Sequence, residues 1–501
     1  MRLNKIKLHF LALTGALTLG VSCMDDEGNY DYKDINEVEI NAVSEDYTVE
    51  RFTNLVINPE VKFSIDVDGA GEYSYRWVAV TDASGKQQAT ELGTTKNLDA
   101  VINLKPGEYI GYYFVTDEKT GIETQYDFNL EVINTTYEGW LVLSDTDQNP
   151  RVDMISLYNG EYQPFYDVFA ENGLELSGEA KFMNCYTFTR NMTTGEIIYG
   201  VYVSTTGNGT TRVDPDTFEW SPEMRVSAEF QSPQPEDLEL DALESPVGLS
   251  SFALVDNNVY FYNFSMQRAY SSPLNTIAGE RFDVSPMMGK GYQTFAALYD
   301  TTNKRYVRAY RGAMYTMPAS RSTKFNYNDT GMDLVYMTSN DYSGLKGNYV
   351  FSILKDPATS KHYLANFNIG NSSQTYYEEI TGDEEAPFAQ AEHIAINPVY
   401  GYIYYNIGSK VYRYDWTKVT PEVRLELDAG SDEITLLKFH DFAGEVNTSY
   451  VEMQNHLIVG RHDGIEGTLE FYDVQNLDNP LNLVSSYSGF GKVKSVAYRQ
   501  R

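Results

Sequence analysis

Several patterns in this 501-residue chain have residue types and spacings that chemistry could use. Asp145-x-Asp147-x-Asn149 opens like a calcium loop. An EF-hand also requires Gly at the sixth position and Glu at the twelfth, the first for the turn and the second for bidentate closure. Here those positions are Pro150 and Ser156, so the spacing is read as a polar hairpin turn. Asp66-Val67-Asp68-Gly69 is a weaker version of the same pattern. Zinc needs a convergent set of nitrogen or sulfur ligands. The six histidines (9, 362, 393, 440, 456 and 462) contain no His-x-x-x-His pair, so no metal and no cofactor are expected. Met287-Met288-Gly289-Lys290-Gly291-Tyr292 holds a Gly-Lys-Gly but neither the P-loop spacing nor its Lys-Ser/Thr pair, and is read as a flexible loop. No Gly-x-Ser-x-Gly elbow occurs, which excludes the α/β-hydrolase arrangement.

Glycoside hydrolysis needs only two positioned carboxyl groups. With 71 acidic residues the sequence supplies many candidates and singles out none. Glu378-Glu379 and Asp383-Glu384-Glu385 are read as one solvated acidic loop, and the Ser-x-Asp-x-Gly-x-x-Trp boxes of sialidase-type propellers are absent. No catalytic residue is therefore assigned, and the chain is expected not to be an enzyme. What stands out instead is 41 Tyr against 4 Trp. Tyr joins an apolar ring to a polar tip and suits wet binding surfaces. The alternating aromatics of Gly401–Trp416 are read as packing between neighbouring sheets, and the loop aromatics Tyr292, Tyr315 and Tyr342 are the binding candidates.

The elements that must position these side chains are strands. Aromatics make up 14% of the chain, and Ala-, Leu- and Lys-rich helical stretches are scarce, so the class is all-β. The net charge of −33 repels phosphate backbones, and no Lys/Arg run offsets it. Nucleic acid is not an expected partner. The same field opposes anionic ligands unless the fold assembles a basic pocket.

The first 22 residues have the layout of a secretory signal: Arg2, Lys5 and Lys7, then the short apolar run Leu8–Leu19, too short to span a bilayer. Gly20-Val21-Ser22-Cys23 resembles a bacterial lipobox, with Gly20 where Leu is usual. The resemblance implies acylation of Cys23 and an outer-membrane lipid anchor. Cleavage there removes three basic and no acidic residues, so the mature chain is more negative still. The acidic Asp25, Asp26 and Glu27 that follow resemble the signal that sends lipoproteins of the Bacteroidota to the cell surface. With Cys23 acylated, no intramolecular disulfide is possible, and Cys185, within Lys181–Phe188, is read as a small buried hydrophobe.

Beyond a tether over 23–35, residues 36–135 carry short alternating strands separated by turns, as in a sandwich. Tyr73, Tyr75 and Trp77 share one strand face, and Leu104-Lys105-Pro106-Gly107-Glu108-Tyr109 enters a strand ending in Val115-Thr116-Asp117. This combination, with Gly28–Ile40 behind the lipobox, resembles the PKD-like family lipoproteins of the Bacteroidota over residues 23 to about 135, and implies an Ig-like sandwich. Residues 136–501 change to irregular repetition. About seven hairpin-like units recur between Gly139 and Arg501, and a lone strand in Val493–Arg501 follows them. That pattern predicts a seven-bladed β-propeller closed by exchange of a terminal strand, which removes the ring's open edges. The acidic Ser232–Pro246 interrupts the repetition and is read as an inter-blade loop with a helical turn.

The family resemblance implies an accessory role at the cell surface. A lipoprotein of this kind would bind a glycan or peptide for a Sus-like uptake system, partnered by a TonB-dependent transporter and its associated surface lipoproteins. Binding is expected on loops of a propeller face. Two alternatives stay open: a secreted propeller glycan hydrolase, and a structural scaffold in a surface complex.

Overall fold

The computed structural model describes residues 35–500 apart from 82–87, 148, 159, 171, 191–196, 246–249, 264–268, 292–294, 321–322, 345–347, 382–383, 443–447 and 477–478. The chain divides into two units, one running to Val132 and the other holding Ile133–Arg501, with Glu50–Phe52 and Leu104–Pro106 assigned to the second.

The first unit is an antiparallel β-sandwich. Its main sheet has five strands, in spatial order Asp46–Glu50, Ile122–Ile133, Gly107–Asp117, Tyr73–Thr81 and Gln88–Gly93. Two further pairs, Val38–Asn41 with Glu60–Phe63 and Asn54–Ile57 with Leu98–Val101, complete it. The core gathers on Trp77, which is fully buried, stacks on Tyr113 at 4.0 Å, and donates its indole N–H to Thr95 O at 2.9 Å. The strand Tyr73–Thr81 does place its three aromatics on one face: Tyr75 lies parallel to Tyr113, and Tyr73 stacks on Phe63 at 3.9 Å. Gly111 is required opposite Phe128, because a Cβ there would stand 2.2 Å from the ring.

The second unit is a β-propeller, and among the described residues its sheets form seven blades. Blades 4 to 7 are four-stranded antiparallel meanders opening at Gly289, Asp333, Ile394 and Glu433. Blades 2 and 3 show three strands each, opening at Ala180 and Ala242. Blade 1 combines Gly139–Asp145, Pro150–Tyr158 and Glu161–Phe165 with the C-terminal strand Lys492–Arg499. That strand pairs antiparallel with Gly139–Asp145, setting Trp140 against Tyr498 and Val142 against Val496. The ring is thus closed by strand exchange, and its last strand is the innermost of blade 1.

Each blade buries both faces, which explains why strands such as Gly139–Asp145 and Tyr349–Lys355 are buried at almost every position. Among the described residues seven apolar clusters hold the ring, each drawn from two adjacent blades. One packs Leu141 and Met154 of blade 1 on Val201 and Val203 of blade 2, and another packs Trp140 and Val496 on Leu469 and Phe471 of blade 7. The aromatics of Gly401–Trp416 do the same work: Tyr405 and Tyr414 face blade 5 while Tyr402 and Tyr404 face blade 7. Burial of this kind contributes roughly 1.5–3 kcal/mol per large side chain.

Three sequence expectations need correction. Ser232–Pro246 is not wholly a loop, since Ala242–Glu244 is the innermost strand of blade 3. The helical turns lie earlier, at Pro222–Met224 and Val226–Glu229. Gly289-Lys290 is likewise a strand, the innermost of blade 4. Glu378 and Glu379 belong to the outer strand Gln374–Glu379 of blade 5 rather than to a loop.

Candidate functional site

The first strand of a propeller blade has a neighbour on one side only, so the backbone groups along its other edge need partners from side chains, water or ligand. Here neighbouring blades supply them. Around the axis, the Ser495 hydroxyl of blade 1 accepts the N–H of Met183 in blade 2 at 3.0 Å. The Asn184 amide donates to Leu243 O of blade 3 at 2.5 Å. The Ser339 hydroxyl of blade 5 donates to Lys290 O of blade 4 at 2.6 Å, and the Asn340 amide to Ile396 O of blade 6 at 3.2 Å. Lys438 of blade 7 donates from Nζ to Val496 O of blade 1 at 2.7 Å. Polar residues at these positions therefore tie the innermost strands to one another.

Inside this belt lies a cavity of about 390 Å³, to which all seven blades contribute residues. That volume falls within the range of small-molecule sites. Its charged groups are unevenly matched. Lys290 Nζ stands 3.3 Å from Glu244 Oε2 and 3.3 Å from Asp441 Oδ2, linking blades 3, 4 and 7. Burial opposes the Lys290 charge, but the two carboxylates prevail and hold its pKa above the ordinary lysine range. About a quarter of its side chain stays accessible, so the triad is open to a ligand.

Lys438 is treated differently. Among the described residues no carboxylate lies in ion-pair range of it, and its Nζ donates to the Val496 carbonyl. Burial and the nearby Lys290 charge outweigh Glu244 and Asp441, and its pKa is pushed down to about 8. Two residues on, burial holds His440 well below the usual imidazole range, helped by Lys438 and Lys290. The His440 ring packs against Trp140 and Phe442 at 5.2 and 4.6 Å, and its Nδ1 is buried without a hydrogen-bond partner. Tyr336, also on the cavity wall, is pushed up to about 12, chiefly by burial.

The loop aromatics named from sequence do not converge on this cavity. Tyr315 lies on the outermost strand of blade 4 and is 46% exposed. Tyr342 opens a 3-10 turn after the innermost strand of blade 5, with its ring held among Tyr349, Phe351 and Trp416. Tyr292 lies outside the described residues, as do Cys23, Asp25, Asp26 and Glu27. Cys185 is a buried cysteine in the core between blades 1 and 2, and it also borders the cavity. Asp145 pairs with Pro150 across the first hairpin of blade 1, where the Thr146 N–H donates to Asn149 O at 3.3 Å. No group of metal-ligating side chains occurs among the described residues.

The residues missed from sequence were Glu244, Lys438, His440 and Asp441. Their signal is weak but present: each sits on, or just past, a short strand that precedes one of the strongly apolar hairpins.

Comparison with known proteins places the N-terminal part. Residues 23–179 match the model of the PKD-like family. The match starts at Cys23 and continues past the sandwich through the first three strands of blade 1, further than the 135 read from sequence. No curated protein sequence matches the chain. Among solved structures, it is similar to a quinonprotein alcohol dehydrogenase-like protein of Bacteroides thetaiotaomicron, at 12% identity and a TM-score of 0.36, over 91% of this chain and 96% of that one. It is also similar to the extracellular domain assigned to a hybrid two component system of the same bacterium, at 12% identity and a TM-score of 0.37. There it covers 64% of this chain and 36% of the other. The WD40 domain of SCAP from fission yeast matches at 8% identity and a TM-score of 0.29, over 60% of this chain and 70% of that domain. None of these likenesses bears on what the cavity holds. No helix among the described residues is long and apolar enough to cross a membrane.

Proposed function

We propose that this protein is a cell-surface lipoprotein that binds a small polar ligand, a glycan or peptide fragment, in the axial cavity of its propeller. In this reading it is an accessory component of a Sus-like uptake system, delivering to a TonB-dependent transporter. The observation that carries the binding role is the cavity itself, about 390 Å³ bordered by all seven blades and furnished with Lys290, Glu244, Asp441, Lys438 and His440. The lipobox-like Cys23 and the acidic residues after it support placement at the outer surface. Binding is assigned to the axis rather than to Tyr315 and Tyr342, because Tyr342 is engaged in packing and Tyr315 stands apart on an outer strand.

The test is a thermal-shift and product-release screen of the full chain against neutral and acidic glycans and peptides. It is repeated on Thr338→Trp, which places a large ring on the cavity wall. A ligand that raises the melting temperature uncut, and loses this effect in Thr338→Trp, supports the reading. Ligands indifferent to Thr338→Trp, or none at all, refute it and favour a structural scaffold.

One observation favours a second reading. Glu244 and Asp441 each approach the same Lys290 Nζ at 3.3 Å, so their oxygens are separated by no more than twice that distance, within reach of a glycosidase pair. Both carboxylates are already engaged by the shared ammonium, which ranks hydrolysis below binding. New reducing ends that vanish in Glu244→Gln would reverse that order.

A further inference from the structure

The three blades joined by Lys290 are not all neighbours. Blade 3 adjoins blade 4, but blade 7 stands three places further round a ring of seven, on the other side of the axis. The Lys290–Asp441 contact at 3.3 Å therefore crosses the channel, and the Glu244 contact at 3.3 Å fastens the same ammonium to the wall beside it. The level of this bridge along the axis is also fixed. Glu244 and Lys290 are the last residues of their innermost strands, and Asp441 lies three past Lys438, the last of its own. The inner strands of blades 4, 5 and 6 finish together, because Ser339 donates to Lys290 O and Asn340 to Ile396 O. Cavity residues lie on both sides of that level, Ala242 and Tyr336 within the strands and Pro398 and Gln454 beyond them.

The Lys290 side chain is the movable part of the bridge. Its backbone is pinned: a Cβ on Gly289 would stand 2.7 Å from Val350 Cγ2, and one on Gly291 2.8 Å from Phe295 Cβ, so blade 4 is packed there without slack. Asp441 sits between His440 and Phe442, whose rings pack on Trp140, and Glu244 is held in register with Phe252. The lysine stem is a flexible chain of four carbons and stays partly accessible. Swinging it aside breaks two partly exposed ion pairs, a modest cost. Shifting a blade would instead disrupt a close-packed interface. With the ammonium withdrawn, Glu244 and Asp441 would face one another as like charges, which draws it back into place.

We propose that Lys290 is a bar across the axial channel, closed on Glu244 and Asp441, and that its side chain controls passage between the mouth and the inner part of the cavity. This rests on the reading of the cavity as the binding site and adds how a ligand enters it.

The experiment places a reporter on the inner side of the bar. Thr338 lines the cavity one residue before Ser339. Thr338→Cys in the full chain is labelled with methyl methanethiosulfonate, and peptide mass separates its rate from those of Cys23 and Cys185. In that background Lys290→Met and Asp441→Asn are each expected to speed labelling about fivefold, and Lys290→Arg to stay near the parent rate. Asp441→Asn and Lys290→Arg keep the side-chain size and serve where Lys290→Met does not fold. Tyr498→Phe, which weakens the ring without touching the bar, is the control and should label at the parent rate. Labelling unchanged by Lys290→Met and Asp441→Asn, or raised equally by Tyr498→Phe, overturns the proposal. Labelling that responds to the bar while no ligand binds supports the bar and refutes the binding role. A ligand that binds while labelling ignores the bar refutes the bar and leaves the binding role in place.

Discussion

Tyr498 offers the sharpest test of how the propeller is held shut. It lies on the closing strand opposite Trp140 and is 1% exposed. Its hydroxyl donates to Glu138 Oε1 at 2.8 Å and is 2.9 Å from the Tyr162 hydroxyl. Tyr498→Phe keeps the ring contacts and removes only these polar ones. A hydrogen bond to a charged group contributes roughly 1.5–3 kcal/mol. Glu138 Oε1 keeps the Tyr450 hydroxyl at 2.7 Å, so the lower end applies, about 1.5–2 kcal/mol. Tyr498→Ala also empties the ring's place among Trp140, Phe442 and Tyr450, which raises the loss to about 3–5 kcal/mol. Urea unfolding followed by tryptophan fluorescence reads both, because Trp140 lies 5.0 Å from Tyr498. The expected result is a lower midpoint at unchanged slope, with the Ala variant clearly worse than Phe. Equal midpoints for wild type and Phe would refute the hydrogen-bond assignment. An Ala variant no worse than Phe would refute the closing strand as a structural necessity.

Three further outcomes are expected. Glu229 sits between blades 2 and 3 with its pKa raised to about 7 by burial, offset in part by Arg212 and the Tyr202 hydroxyl. The folded state therefore holds a proton that the unfolded chain releases near 4.5, and stability should fall as pH rises from about 4.5 to 7. Glu229→Gln should flatten that slope in denaturant midpoints taken across the window, and an unchanged slope would count against the assignment. Gly111→Ala should destabilise the sandwich by about 1–3 kcal/mol as the Phe128 ring is displaced; an unaltered denaturation profile would mean that the ring yields freely. Cys23→Ala should move the protein from the membrane fraction to the soluble one, and unchanged sedimentation would remove the lipid anchor from the proposal.

The sequence alone determined the class, the sandwich core and the repeat of the second unit, because those signals are local. A strand packed on both faces by neighbouring blades reads as a near-continuous apolar run, and Phe252–Val255, Ala296–Tyr299 and Tyr349–Leu354 are such runs. Their turns carry residues that accept a left-handed backbone, as Asp256 and Asn257 do at φ 49° and 60°. The terminal strand was legible as the odd element after seven hairpins. The innermost strands were not legible in the same way. They are short, partly polar and open along one edge, so Lys290 and Glu244 read as loop residues. Only closure of the ring decided the site. Closure brings to one axis residues as distant in sequence as Asn184, Glu244, Lys290, Ser339, Lys438 and Ser495. Once they meet, Glu244 and Asp441 hold the Lys290 charge, while burial and the Lys290 charge lower the pKa of Lys438. Neither effect has a counterpart in local sequence, because both depend on groups that only the folded ring makes neighbours.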